Sequence, residues 1–156
     1  MSTIKNQFDL HTRLFNNVLD GIDNATTDAR ANDHVNHLKW IAGHLTSARF
    51  GFKDLAGLEQ QDPHAEYFAR GKDINPDIEY PPIAEIKDNW NAISGQISAA
   101  LGNLPDEALA ANAPKVPIGD GKMGEFLDFL MHHEAYHIGQ MGILRKFAGL
   151  NAMSYA

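Results

Sequence analysis

The chain has 156 residues, a formal net charge of −7 at pH 7 and no cysteine. This length suits one domain over residues 1–156, and no run approaches the roughly 20 apolar residues of a membrane span. The lack of cysteine excludes disulfides and thiolate ligands, and an acidic chain with scattered Lys and Arg is not expected to bind nucleic acid. The first residues, MSTIKNQFDLH, contain no apolar signal region, so we expect a cytoplasmic protein.

Apolar residues at steps of three and four predict four long helices along the chain. The first runs over Thr3–Asn24, with Gly21 and the polar residues after it marking its end. His11 lies within its apolar stripe. We expect a hydrogen-bonded core histidine there, with a pocket-lining side chain as the second interpretation.

The second predicted helix, Asp33–Leu55, begins at an N-cap formed by Asn32 or Asp33. His44 lies at the edge of its apolar stripe, and Trp40 lies one turn earlier on the same side, as a candidate pocket residue. Two further histidines occupy the first turn of this helix without apolar neighbours, and we expect both to be solvated: His34 and His37.

The third predicted helix, Pro82–Leu104, begins with a proline, which suits a first helical turn. A short helix at Pro63–Arg70 precedes it. The apolar stripe of the third helix contains no titratable residue, so we expect this helix to contribute to packing. The connection over residues 104–121, with one helical turn at Asp106–Ala111, is long for a compact domain and is a candidate cover for a site.

The fourth predicted helix begins near Lys122 and ends at Phe147 or Ala148. Its stripe places His133 and His137 at positions where apolar residues are expected. Side chains four residues apart lie one above the other on a helix, so both imidazoles can reach one ion. Inside this helix, Gly139 and Gly142 would permit close approach of another helix or a second subunit.

Four amphipathic helices without a convincing strand or repeat predict a four-helix bundle, a fold that often holds metal between facing helices. The residues from His133 to His137 also match the H-E-x-x-H motif of zinc proteases. No Asp, Glu or His follows His137 as a third ligand, which disfavours a protease. A di-iron centre needs a second E-x-x-H pair, and the chain has none.

A third ligand must therefore come from upstream of the fourth helix. His44 is the first choice, His11 the second and His37 the third. Three histidines with open coordination positions are typical of catalytic sites, since structural zinc usually has four protein ligands. Nitrogen and oxygen ligands suit Zn, Ni, Mn or Fe without choosing among them.

Two segments resemble a known family. They are NHLKWIAGHL, residues 36–45, and HEAYHIGQ, residues 133–140, followed by Leu144 and Arg145. Together they resemble the DinB-like (DinB/YfiT) superfamily of metalloenzymes. The resemblance implies an all-α four-helix bundle in up-down-down-up order, with a long crossover between helices 2 and 3. It also implies one divalent ion, often nickel or zinc, on His44, His133 and His137, and a homodimer.

Relatives include transferases and isomerases that use an exogenous low-molecular-weight thiol, so we expect a transferase or hydrolase acting on a small molecule. The ion would activate a water or such a thiol. Gln140 is a second candidate pocket residue beside Trp40, and Glu134 and Tyr136 are candidates for orienting a ligand histidine. No residue stands out as a general base. The competing interpretations are a non-catalytic metal-binding or protein-interaction bundle, and histidines that hold no metal.

Overall fold

The structure is a computed structural model that describes residues 2–52, 57 and 59–155. Within these residues the regular structure is helical, and the only β pairing is an isolated bridge between Asn112 and Lys122. The helices are α1 Ser2–Leu19, α2 Asn24–Thr27, α3 Leu38–Phe50, α4 Ala65–Phe68, α5 Ile83–Asn103, a 3-10 helix Asp106–Ala110, and α6 Met123–Phe147.

The four longer helices, α1, α3, α5 and α6, pack against one another. Helices α5 and α6 each contact both α1 and α3. The stripe predicted for α5 is buried as expected, from Ile83 through Trp90 to Leu101. None of the described helices has the length and apolar character needed to cross a membrane.

Helix α1 ends earlier than predicted. It stops at Leu19, and Gly21 then adopts a positive φ of 69°, a backbone conformation that favours glycine. The side chain of Asp23 accepts a hydrogen bond from the Thr26 N–H. It thereby caps the separate short helix α2.

Helix α3 starts five residues later than predicted, so the N-cap assigned to Asn32 or Asp33 is wrong. The cap is His37, whose Nδ1 accepts a hydrogen bond of 2.9 Å from the Trp40 N–H. The expectation that His37 is solvated is also wrong, because the residue is buried, whereas His34 is exposed. The predicted end at Leu55 lies outside the described residues.

The core consists of two apolar clusters, one around Trp90 and the other around Phe8. Arg49 lies between them, with its guanidinium carbon 3.4 Å from the Trp90 ring centroid and 3.8 Å from that of Phe8. A charge in this position has no access to water and needs a partner of opposite sign.

Candidate metal centre

The partner of Arg49 is Glu134, which lies on the buried face of α6. The residues of α6 that are buried include Leu127, Met131, Glu134, Ile138 and Met141. The predicted stripe is therefore displaced by one residue, or about 100° around the helix, at His133 and His137, whereas Met141 and Leu144 are buried as predicted. Because a glutamate counts as polar in a hydropathy pattern, the pattern placed His133 instead of Glu134 at this core position.

Glu134 accepts hydrogen bonds from two groups. Arg49 donates from Nε to Oε1 at 2.7 Å and from Nη2 to Oε2 at 2.8 Å, and His11 Nδ1 donates to Oε2 at 3.1 Å. Burial opposes ionisation, but the Arg49 charge and these hydrogen bonds outweigh it and lower the pKa of Glu134. The carboxylate is committed to the core.

His11 is thus a hydrogen-bonded core histidine, as expected on the preferred interpretation. It belongs to the Arg49 and Glu134 cluster and does not line the cavity described below. Glu134 makes no hydrogen bond to either neighbouring histidine of its motif in the structure.

His44, His133 and His137 come together on the other side of α6. One nitrogen from each imidazole lies within 4.8 Å of the others. His44 Nε2 and His133 Nε2 are 3.2 Å apart. Two nitrogens that are each about 2.0–2.1 Å from one tetrahedral ion are separated by roughly 3.3 Å. The rings of all three pairs are steeply inclined to one another, by 66°, 74° and 77°.

Backbone and aromatic contacts fix the ring of His44. Its Nδ1 donates to the Phe68 carbonyl oxygen at 3.4 Å, which leaves the Nε2 lone pair free. Trp40 stacks on the same ring, with the planes inclined by 7°. The Phe68 ring reaches α3 because Gly43 has no side chain; a Cβ there would lie 2.3 Å from it.

His137 is fixed by the next turn of its own helix. Its Nδ1 donates to Gln140 Oε1 at 2.7 Å, and Gln140 Nε2 donates to the Tyr136 hydroxyl at 3.0 Å. Gln140 is therefore the residue that orients a candidate ligand, and Tyr136 supports it from an exposed position. A hydrogen bond on the distal nitrogen is the usual way in which a ligand imidazole is oriented.

Burial keeps the three imidazoles neutral at pH 7. It lowers the pKa of His133 to about 4, with a further contribution from the other two histidines. Burial also lowers the pKa of His44 and that of His137, against the opposing effects of their hydrogen bonds. Neutral imidazole is the form that binds a metal, so the donor set fits a divalent ion with three protein ligands.

A cavity of about 500 Å³ opens onto His44 and His133. Its walls come from α3, α4, α6 and the connection between α5 and α6, of which residues 114–117 contribute. The connection expected to cover a site does lie against it. Of the two candidate pocket residues, Trp40 contacts His44 and Gln140 contacts His137. Neither residue is part of the cavity wall.

Several residues of this site were not identified from the sequence. They are Arg49, Gly43, Phe68 and the wall residues Arg70 and Lys115. Arg49 is four residues after Leu45 on α3 and continues its buried face, a position that the sequence could have flagged as an arginine within an apolar stripe. The other four become recognisable only through contacts between distant segments.

The described residues form packed helices, with a cluster of three histidines between α3 and α6. The model of the DinB superfamily matches residues 7–141. The chain therefore belongs to the DinB superfamily, which confirms the resemblance found in residues 36–45 and 133–140.

Solved structures agree on the fold. A DinB-like protein from Bacillus cereus ATCC 10987 is 18% identical, with a TM-score of 0.73, and the match covers 99% of this chain and 96% of that one. A conserved protein from Enterococcus faecalis is 12% identical, with a TM-score of 0.66, and the match covers 94% and 95%. At these identities the likeness concerns the fold alone. No curated protein matches the sequence.

Proposed function

We propose that the protein is a cytoplasmic, metal-dependent enzyme that acts on a small molecule, as a thiol-dependent transferase or a hydrolase. One divalent ion, nickel or zinc, is held by His44, His133 and His137. The chain is a single domain with the up-down-down-up helix order of DinB-like bundles. The observation that carries the proposal is three neutral imidazoles that converge beside a cavity large enough for a substrate.

The residues of the chain hold and shield the ion. The Phe68 carbonyl and Gln140 each accept a hydrogen bond from the Nδ1 of a ligand histidine, which would leave the Nε2 of that histidine free to bind the ion. Trp40 covers one face of the His44 ring and excludes water from it. When bound, the ion supplies a Lewis acid that favours deprotonation of a water or a thiol.

The nucleophile comes from outside the chain. No cysteine is present, and the cavity wall contains no carboxylate among the described residues. Among the described residues, His44 and His133 are the only histidines on that wall, and both are ligands in this proposal. The Ser47 hydroxyl also lies on the wall, but its hydrogen-bond partner is the carboxylate of Asp62 and not an imidazole, so we take a water or an exogenous thiol as the nucleophile.

We also propose a homodimer formed through the outer face of α6. Tyr136, Ile143 and Phe147 are large, exposed apolar residues on this helix. A Cβ at Gly139 or at Gly142 would meet nothing within 4 Å. The two glycines therefore do not serve packing against the described residues of the chain, and they permit a second α6 to approach closely.

Turnover tests the proposal. Untagged protein loaded with zinc or nickel is assayed for hydrolysis of nitrophenyl esters and for conjugation of low-molecular-weight thiols with an aryl halide. We expect metal-dependent turnover that is lost in His137→Ala. It should persist in His132→Ala, a matched change at an exposed histidine of the same helix. A stoichiometric ion without any acceleration by the wild type would favour the non-catalytic metal-binding bundle.

A further inference from the structure

The cavity beside the histidines has an apolar interior and a cationic mouth. Its apolar wall includes Phe68, Phe126, Phe129, Leu130 and Val116. Phe68 is buried, whereas Arg70 and Lys115, the only two charged residues of the described wall, are exposed. They come from two separate connections, after α4 and before α6.

Neither cation has a partner in the part of the chain that the structure describes. Arg70 and Lys115 form no hydrogen bond or ion pair with the described residues, whereas the buried Lys39 pairs with Asp28 at 2.6 Å. One carboxylate, that of Asp62, is hydrogen-bonded to a wall residue. Its Oδ2 accepts from Ser47 on the wall, and its Oδ1 accepts from the His64 N–H, so it is already engaged.

This local charge is opposite to that of the whole chain. Acidic residues outnumber Lys and Arg by 20 to 13, yet the wall carries two cations and no acid among the described residues. An electropositive mouth on an acidic protein attracts anions and repels cationic ligands. The apolar wall behind it favours a ligand whose body gains by leaving water.

We propose that the cavity binds a small monocarboxylate with an aromatic or alkyl body. The carboxylate lies at the mouth against Arg70 and Lys115, and the apolar body lies between the phenylalanine rings and points towards His44 and His133. This inference rests on the proposed function for the role of that ligand as substrate. The binding itself needs only the cavity wall.

Affinity for a matched pair of ligands tests the inference. The probes are 1-naphthaleneacetate and its neutral amide, which share the same apolar body, titrated by calorimetry into the full-length protein. We expect the acid to bind about tenfold more tightly than the amide, because two charge-assisted contacts are available only to the acid. The double variant Arg70→Ala/Lys115→Ala should remove this preference and leave the affinity for the amide within twofold.

The control is Arg13→Ala/Lys146→Ala. It removes the same two residue types and the same net charge at exposed positions away from the cavity, so it should keep the preference. Equal binding of acid and amide to the wild type would overturn the inference. A preference that survives in Arg70→Ala/Lys115→Ala, or that falls equally in the control, would also overturn it.

Each titration is done with zinc and after chelation. We expect the preference for the acid under both conditions, since Arg70 and Lys115 provide it. A preference that disappears on chelation would assign anion selection to the ion and overturn the inference. A protein that binds no zinc but retains the preference would refute the proposed metalloenzyme and leave this inference standing.

Discussion

Replacing Glu134 with glutamine tests what the glutamate of the H-E-x-x-H motif does. In a zinc protease the glutamate of this motif acts as the general base. Here it is 1% exposed and lies between Arg49 and His11. Glu134→Gln keeps the shape of the side chain and removes its charge. The structure predicts loss of stability with little change in metal affinity, since Glu134 makes no hydrogen bond to a ligand histidine.

The expected magnitude follows from the burial of both partners. The Arg49 side chain is 0% exposed and that of Glu134 is 2% exposed. Water therefore cannot stabilise the Arg49 charge once the Glu134 charge has been removed. Removing one partner of a buried ion pair costs about 3–5 kcal/mol. That is a large share of the roughly 5–15 kcal/mol by which a domain is stable.

Urea unfolding at pH 7, followed by circular dichroism, measures the effect. Glu107→Gln is the control, because Glu107 is exposed, and an exposed charge contributes about 0–1 kcal/mol. The double variant Arg49→Met/Glu134→Leu should recover much of the loss, since it leaves no buried charge. A loss in Glu134→Gln below about 1 kcal/mol, or no larger than the control, would refute this account of the core.

Three further predictions concern the supports of the site. Gly43→Ala should destabilise the protein by about 1–3 kcal/mol, because its Cβ would overlap a buried ring. Gly95→Ala, in an open helical position, should instead stabilise it by up to about 1 kcal/mol; equal effects in urea unfolding would contradict the packing. Gln140→Leu should weaken zinc binding about 10–100-fold in competition with a chelator, and unchanged affinity would exclude its orienting role. Burial lowers the pKa of His37 to about 4 from 6.5, so the unfolded chain takes up the proton first and stability falls as the pH drops from about 6.5 to 4. His37→Asn retains a cap without titrating, and metal-free urea unfolding should show a smaller fall over that window; identical pH profiles would contradict the cap.

The sequence predicted best those elements whose local pattern and tertiary role agree. For α5, the predicted range Pro82–Leu104 and the observed range Ile83–Asn103 nearly coincide, because every stripe position is apolar and Pro82 marks the start. The start of α3 was missed because its cap is a buried histidine. The usual capping residues, Ser, Thr, Asp and Asn, were available earlier in the chain.

The candidate site was only partly predictable for a related reason. His44, His133 and His137 were selected by spacing and resemblance, and the structure brings them together. The face of α6 around His133 was misassigned because a buried glutamate is stable only when a distant arginine pairs with it. That pairing between residues 49 and 134 has no local signature in the sequence. Arg70 and Lys115 likewise meet at one cavity only after folding.

The most direct test of the account is the metal content of untagged protein, measured by elemental analysis after incubation with zinc or nickel and removal of free ion. The matched variants are His44→Ala and His133→Ala, with His132→Ala as the control, because His132 is exposed and next to a proposed ligand. We predict about one divalent ion per chain in the wild type and the control, and its loss in both ligand variants. A wild type that binds no ion, or a His133→Ala variant that retains it, would contradict the three-histidine centre.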